Sequence, residues 1–182
     1  VIEPEYYVPI LPMVLINGCQ GIGTGWSTEV PCHNPVDIIR NIKRYLGNES
    51  MNELIPYYRG FKGTIEKEGH SYISKGCFEV KNNKLIITEL PVGCWTDKYK
   101  DFLESITIDS KHKSSKQLIR YYNSHSTDES VLFELYVDES KIDLRNKALV
   151  EKKFKLTTTL STSNMVLYDN KGTIQKYKSS LD

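Results

Sequence analysis

The sequence predicts an α+β fold in which antiparallel meanders stand beside a few short helices. Three observations carry this. Apolar residues recur at helical spacing in only a few stretches, the clearest at residues 35–46 and 96–106. Between residues 63 and 89, and again from 131, the pattern changes to short β-rich runs. The runs are separated by turn-forming residues that join neighbouring strands, as in Lys81-Asn82-Asn83-Lys84.

The elements follow in order. Pro4, Pro9 and Pro12 forbid a regular helix before Met13-Val14-Leu15-Ile16, so residues 1–16 read as an extended segment leading into a buried strand. Asn34 as N-cap, Pro35 at the first helical position and Asp37 in the first turn start a helix that Gly47 ends. Its apolar face is Ile38, Ile39, Ile42 and Leu46, and Arg40, Lys43 and Arg44 form a solvated opposite face. Strands are expected at 63–66, 72–80 and 85–89. Thr96 can cap a helix whose Tyr99, Phe102, Leu103 and Ile106 share one side, with Trp95 just ahead of the cap. Residues 107–130 read as an exposed polar connection carrying Lys111, His112, Lys113 and Lys116, partly helical near 117–122. A strand at 131–137, a helix at 140–153 and strands at 155–160, 165–168 and 173–177 complete the chain, with Asp169-Asn170-Lys171-Gly172 as the last turn. No internal repeat or low-complexity tract interrupts it.

The stretch that most needs a purpose is Asn17-Gly-Cys-Gln-Gly-Ile-Gly-Thr-Gly-Trp-Ser-Thr28. Its four glycines, Gly18, Gly21, Gly23 and Gly25, give a loop that reaches unusual backbone conformations and permits close approach. A phosphate cradle is one reading, but a P-loop needs Lys and then Ser or Thr after its last glycine, and here Thr24 and Gly25 follow Gly23. A dinucleotide fingerprint must open a helix at once, whereas Pro31 and Pro35 postpone the next helix. The question becomes why Ile22 sits on a glycine stalk. It either packs into the chain's own core, where most isoleucines go, or acts as a stiff wedge of the kind that enters base steps and kinks DNA. Composition alone puts the packing reading ahead.

At 182 residues the chain is long enough to bury a core. Its net charge of +1 excludes a surface that is one continuous phosphate-binding field, so any DNA contact must be local. Only five of its 24 basic residues are arginine, and lysine suits phosphate positioning better than base reading. Cys19, Cys32, Cys77 and Cys94 form no Cys-x2-Cys pair, and Cys32-His33 has no matching second half to make a metal site. They are expected to be free thiols. The longest nearly apolar run, residues 8–16, holds two prolines, so no membrane span or signal peptide is expected. The first residue is not Met, and the chain is expected to begin inside a larger protein.

The run Ile2-Glu-Pro-Glu-Tyr-Tyr-Val-Pro-Ile-Leu-Pro-Met-Val-Leu-Ile16, continuing into the glycine loop, resembles eukaryotic type IIA DNA topoisomerases at the end of the winged-helix region and the start of the tower domain. The likeness recurs in Tyr58-Arg-Gly-Phe-Lys-Gly-Thr-Ile-Glu66, in Thr88-Glu-Leu-Pro-Val-Gly-Cys-Trp-Thr96 and in Phe154-Lys-Leu156 through Asn164-Met-Val-Leu-Tyr-Asp169. Four separated, ordered matches span nearly the whole chain.

The resemblance implies residues 1–30 as the winged-helix end and intercalating loop, then residues 31–182 as a mixed α/β tower (shoulder) domain leading to a coiled coil beyond Asp182. It implies double-stranded DNA as partner, Ile22 as the residue that enters and bends the gate duplex, and Trp95 as a further DNA contact. Gly93 and Cys94 stand where the family has Arg and Thr, which puts a cationic contact beside Trp95 in doubt. For the full-length enzyme it implies Mg2+, ATP, a homodimer, chromosome segregation and a nuclear location. In the family the nucleophilic tyrosine precedes the glycine loop, so Arg120-Tyr121 is a decoy, and Tyr6 and Tyr7 match a different segment. No Asp-x-Asp cluster is present to hold metal for phosphoryl transfer, so this stretch alone is not expected to cut DNA. The competing expectations are an interaction module with Ile22 buried, and a nucleotide-binding enzyme stabilised by ATP.

Overall fold

The computed structural model describes residues 2–4, 7–69, 71–108, 117–138 and 140–182. Tyr6 and the basic cluster of Lys111, His112, Lys113 and Lys116 lie outside the described residues. In chain order the elements are α1 (Met13–Asn17), β1 (Cys19–Gly23), β2 (Trp26–Val30), α2 (Pro35–Leu46), β3 (Thr64–Glu68), β4 (Ser71–Lys75), β5 (Cys77–Lys81), β6 (Lys84–Glu89), α3 (Thr96–Ile106), β7 (Ile119–Ser124), β8 (Phe133–Val137), α4 (Lys147–Lys153), β9 (Thr157–Ser161), β10 (Met165–Tyr168) and β11 (Ile174–Tyr177). The strands form the pairs β1-β2 and β10-β11, a three-stranded sheet β3-β4-β9 and a four-stranded sheet β5-β6-β8-β7. This is the α+β class the sequence predicts, with antiparallel hairpins and short helices. Among the described residues no helix is long and apolar enough to cross a membrane.

The chain divides into two compact units. One comprises residues 1–59, 67–72 and 160–182, the other residues 60–66 and 73–159. In the second, period-two alternation turns Leu85 and Ile87 of β6, Phe133, Leu135 and Val137 of β8 and Ile119 of β7 to one side of the four-stranded sheet. Tyr99, Leu103 and Ile106 of α3 close over them together with Val150, Phe154 and Leu156, and all are buried. The Tyr99 hydroxyl donates to the Phe154 carbonyl at 2.8 Å, so its one polar atom is satisfied inside the core. On the open side Tyr121 stacks on Tyr136 with centroids 4.1 Å apart, and Lys84 pairs with Glu134 at 3.0 Å.

In the first unit α2 runs as predicted: Asn34 accepts from the Val36 N–H at 2.9 Å, Pro35 opens the helix and Gly47 closes it. Its buried residues are Ile38 and Asn41, while Leu46 is exposed. Asn41 is buried because its amide donates to Asn52 O and accepts from Asn52 N, which pins the following segment.

Five expectations are corrected. Met13–Asn17 is a short helix with no buried residue, because Pro12 acts as its N-cap and its carbonyl accepts from Leu15 N; proline bars a helix before itself, not after. The predicted strand 72–80 is two strands broken at Gly76, where a side chain would overlap the Glu89 carbonyl. The N-cap of α3 is Trp95, with no side-chain cap bond, and Thr96 is the first helical residue. Residues 119–124, expected as partly helical connection, are the edge strand β7. The helix predicted at 140–153 is only α4, since Asp143 first binds the Arg145 N–H in a turn and Asn146 then caps the helix.

Candidate nucleic-acid interface

The glycine-rich stretch is a β-hairpin. Gly23 pairs with Trp26 and Ile22 with Ser27, leaving Thr24-Gly25 as the turn, in which Gly25 adopts φ 82°. Alternation then sorts the side chains. Gln20, Ile22, Ser27 and Glu29 share one face, and all four are exposed. Ile22 is 91% exposed at the end of this face, so the expectation that it packs into the chain's own core is not met. The other face carries Gly21 and Gly23, and Cβ atoms added there would meet nothing closer than 3.8 Å. The tip glycines are not demanded by contacts within the chain.

The root of the hairpin is tightly determined. Gly18 has φ 69°, and a Cβ there would stand 2.8 Å from Val30 O and 2.9 Å from Cys32 Sγ. The Cys32 thiol donates to Asn17 O at 3.1 Å, and Tyr57 N–H donates to Cys32 O at 2.7 Å. Burial pushes the Cys32 thiol and the Tyr58 hydroxyl above their ordinary pKa values. His33 is buried, with its backbone N–H donating to Leu15 O at 2.8 Å and its Nδ1 3.2 Å from the same oxygen. Burial holds the His33 imidazole below its usual pKa, against the opposing pull of the Leu15 and Pro31 carbonyls.

A third support comes from far along the chain. Glu29 N–H donates to Asn164 O at 2.9 Å, Asn164 Nδ2 donates to Ser27 Oγ at 2.9 Å, and Val166 N–H donates to Thr28 Oγ1 at 3.2 Å. A shallow concavity of about 500 Å³ results, lined by Ile22, Trp26, Thr28, Val166, Tyr168 and Ile174 among others. Trp26, 58% exposed, and Tyr168, 71% exposed, border it. Sequence reasoning passed over both. Trp26 was legible as the strand residue facing Gly23 once the stretch is read as a hairpin; Tyr168 had no such signal.

Trp95 belongs to the other compact unit. Its ring is 72% exposed and its backbone is extended, with φ −77° and ψ 143°. Before it, Cys94 N–H donates to Pro91 O at 3.0 Å across a turn whose third residue, Gly93, has φ 82°. Glycine suits that turn, and an arginine there would be strained. Lys155 lies near enough to the half-buried Cys94 to oppose the rise in thiol pKa that burial causes, and its Nζ stands 4.4 Å from the Phe102 ring centre. Tyr121 of the Arg120-Tyr121 pair is on β7, against Tyr136. The four cysteines are free, and among the described residues no three His, Cys, Asp or Glu side chains are grouped to hold a metal.

The family model for the A-type subunits of DNA gyrase/topoisomerase IV matches residues 1–182, and the chain belongs to that family, the type IIA topoisomerases. DNA topoisomerase 2 of Plasmodium falciparum (isolate K1 / Thailand) is 44% identical over 183 residues, covering 100% of this chain and 13% of that protein. DNA topoisomerase 2 of Arabidopsis thaliana is 46% identical over 182 residues, covering 97% of this chain and 12% of the relative. A crystal structure of the Plasmodium falciparum topoisomerase II DNA-binding, cleavage and re-ligation domain matches with a TM-score of 0.90 and 43% identity, over 99% of this chain and 24% of that one. Within the family, then, the chain is of the eukaryotic topoisomerase II kind and corresponds to part of its DNA-binding and cleavage core. It spans about an eighth of the length of these relatives.

Proposed function

We propose that this chain positions and bends the gate duplex for ATP-dependent double-strand passage, with Ile22 as the wedge and Trp95 as a second DNA contact. The observation that carries this is the exposure of Ile22 at the end of a hairpin whose root is fixed and whose tip is bare. Residues 1–30 act as the intercalating end of a winged-helix region, and residues 31–182 as the tower. The partner is double-stranded DNA, and the working enzyme is a nuclear homodimer that segregates chromosomes. ATP and Mg2+ are bound elsewhere in that longer protein.

The energetics are consistent with a shared task. Smooth bending by a large angle costs on the order of 1–6 kcal/mol, and unstacking a base step costs a few kcal/mol more. Burying one isoleucine returns about 1.5–3 kcal/mol. One wedge cannot bend DNA unaided, so a second copy and lysine-to-phosphate contacts supply the rest. In the full-length enzyme, Ile22→Ala is expected to reduce the bent population of a doubly labelled duplex by about tenfold or more, and cleavage with it, while ATP turnover continues. Energy transfer that matches the unsubstituted enzyme would reject the wedge.

A further inference from the structure

We infer that His33 is a positioning residue for the Ile22 hairpin: its neutral ring ties the root of the hairpin to helix α1, and gaining a proton unties it. The first ground is geometric. His33 is 2% exposed, and its Nδ1–H and backbone N–H both reach the Leu15 carbonyl. This makes Leu15 the point at which the chain before the hairpin is held to the chain after it. The second ground is an orphan. With the proton on Nδ1, Nε2 is a bare acceptor, and it has no partner among the described residues. An unmet buried polar atom is destabilising, a penalty that an apolar ring of similar shape would not incur. The Nδ1 bond is what the imidazole offers in return.

Protonation would place a charged N–H on that same unpartnered atom. Among the described residues no carboxylate is placed to receive it. Helix α1 carries no titratable side chain; the segment bridged to His33 at Pro56 brings Tyr57 and Tyr58; Cys32 is adjacent and its thiol donates a hydrogen bond to Asn17 O. Glu29 of β2 is exposed on the hairpin, and Asp37 in the first turn of α2 is half-exposed and paired with Arg40 at 3.0 Å. Burial and two backbone carbonyls are what act on the ring. Because its pKa in the folded chain lies below the ordinary 6.5, the unfolded root takes up a proton first as pH falls. The tie is therefore complete above 6.5 and is lost as pH drops through the folded value.

The inference rests on the wedge reading only where DNA is concerned, and the experiment separates the two. Amide exchange over residues 19–30 is followed in the full-length enzyme from about pH 7.5 to about pH 5, spanning histidine titration, in the unsubstituted protein, His33→Asn and His33→Gln. Asparagine can place an amide donor near the Nδ1 position without titrating, and glutamine places it near Nε2. The unsubstituted hairpin is expected to lose protection about tenfold or more relative to His33→Asn, the scale of one hydrogen bond to a charged group, and duplex bending should decline over the same window. His33→Gln should be loose at every pH. Identical pH profiles of protection for the unsubstituted protein and His33→Asn would overturn the inference. Should the variants misfold, the unsubstituted protein decides alone: protection of residues 19–30 must fall relative to the strands at 84–89 and 133–137, which do not brace the hairpin, and parallel profiles overturn it. Protection that responds to pH while Ile22→Ala bends DNA normally would sink the wedge and leave His33 standing.

Discussion

The β1-β2 hairpin and the β5-β6-β8-β7 sheet use the same alternation to opposite ends. In the sheet every second residue is large and apolar, from Leu85 and Ile87 to Phe133 and Leu135, and two helices cover that face. In the hairpin, the residues flanking Ile22 are glycines on the opposite face, Val30 at the root is the one buried residue of 19–30, and Ile22 is left in solvent. The sheet is stabilised by burial at its centre. The hairpin is stabilised by directional bonds at its root, through Leu15, Asn17, Asn164 and Val166. A side chain can be presented rigidly without being packed, provided the backbone that bears it is fastened elsewhere.

The contrast can be broken or sharpened by substitution. The largest effect is expected in the sheet, where Phe133→Ala should cost about 3–5 kcal/mol of stability by denaturant unfolding; a loss under about 1 kcal/mol, the level of a surface change, would mean that the core is not where the stability lies. Next comes the hairpin root: Gly18→Ala, at positive φ and against Val30 O, should cost about 1–3 kcal/mol and speed amide exchange in residues 19–30. Unaltered exchange would show that the fastening is not at Gly18. The smallest effect is expected at the tip, where Ile22→Ala should leave stability within about 0.5 kcal/mol of the original. A larger loss would show that Ile22 is packed after all.

Elements with local chemical punctuation were legible in the sequence. Asn34, Pro35 and Gly47 frame α2 as read, and Asn82, at φ 53°, makes the turn between β5 and β6. Asp169 accepts from the Lys171 and Thr173 N–H groups to make the last turn, with Gly172 at φ 74°. Elements fixed by distant partners were not. Ile119–Ser124 is a strand because β8 offers it an edge, and Gly76 divides two strands because the backbone of Glu89 passes close by. The α2 stripe misled for a similar reason: Asn41 takes an inward position by binding Asn52, while Leu46 falls outside. At the hairpin, the glycine pattern marked Ile22 but not its support. The clamp by Asn164 spans 137 residues of sequence, and the pairing Cys32-His33, read only as a failed metal motif, gave no sign that His33 sits buried beneath the hairpin.

The clamp has a consequence for how the molecule is made. The Thr28 hydroxyl oxygen accepts its hydrogen bond from the Val166 N–H, which follows 138 residues later. At about 5–20 residues per second on the ribosome, the prong is synthesised roughly 7–30 seconds before its last brace emerges. The second compact unit, whose core lies entirely between residues 85 and 156, can be finished in that interval. The nascent chain therefore carries an unbraced, greasy tip during translation, and the tip becomes rigid only as one of the closing steps of folding.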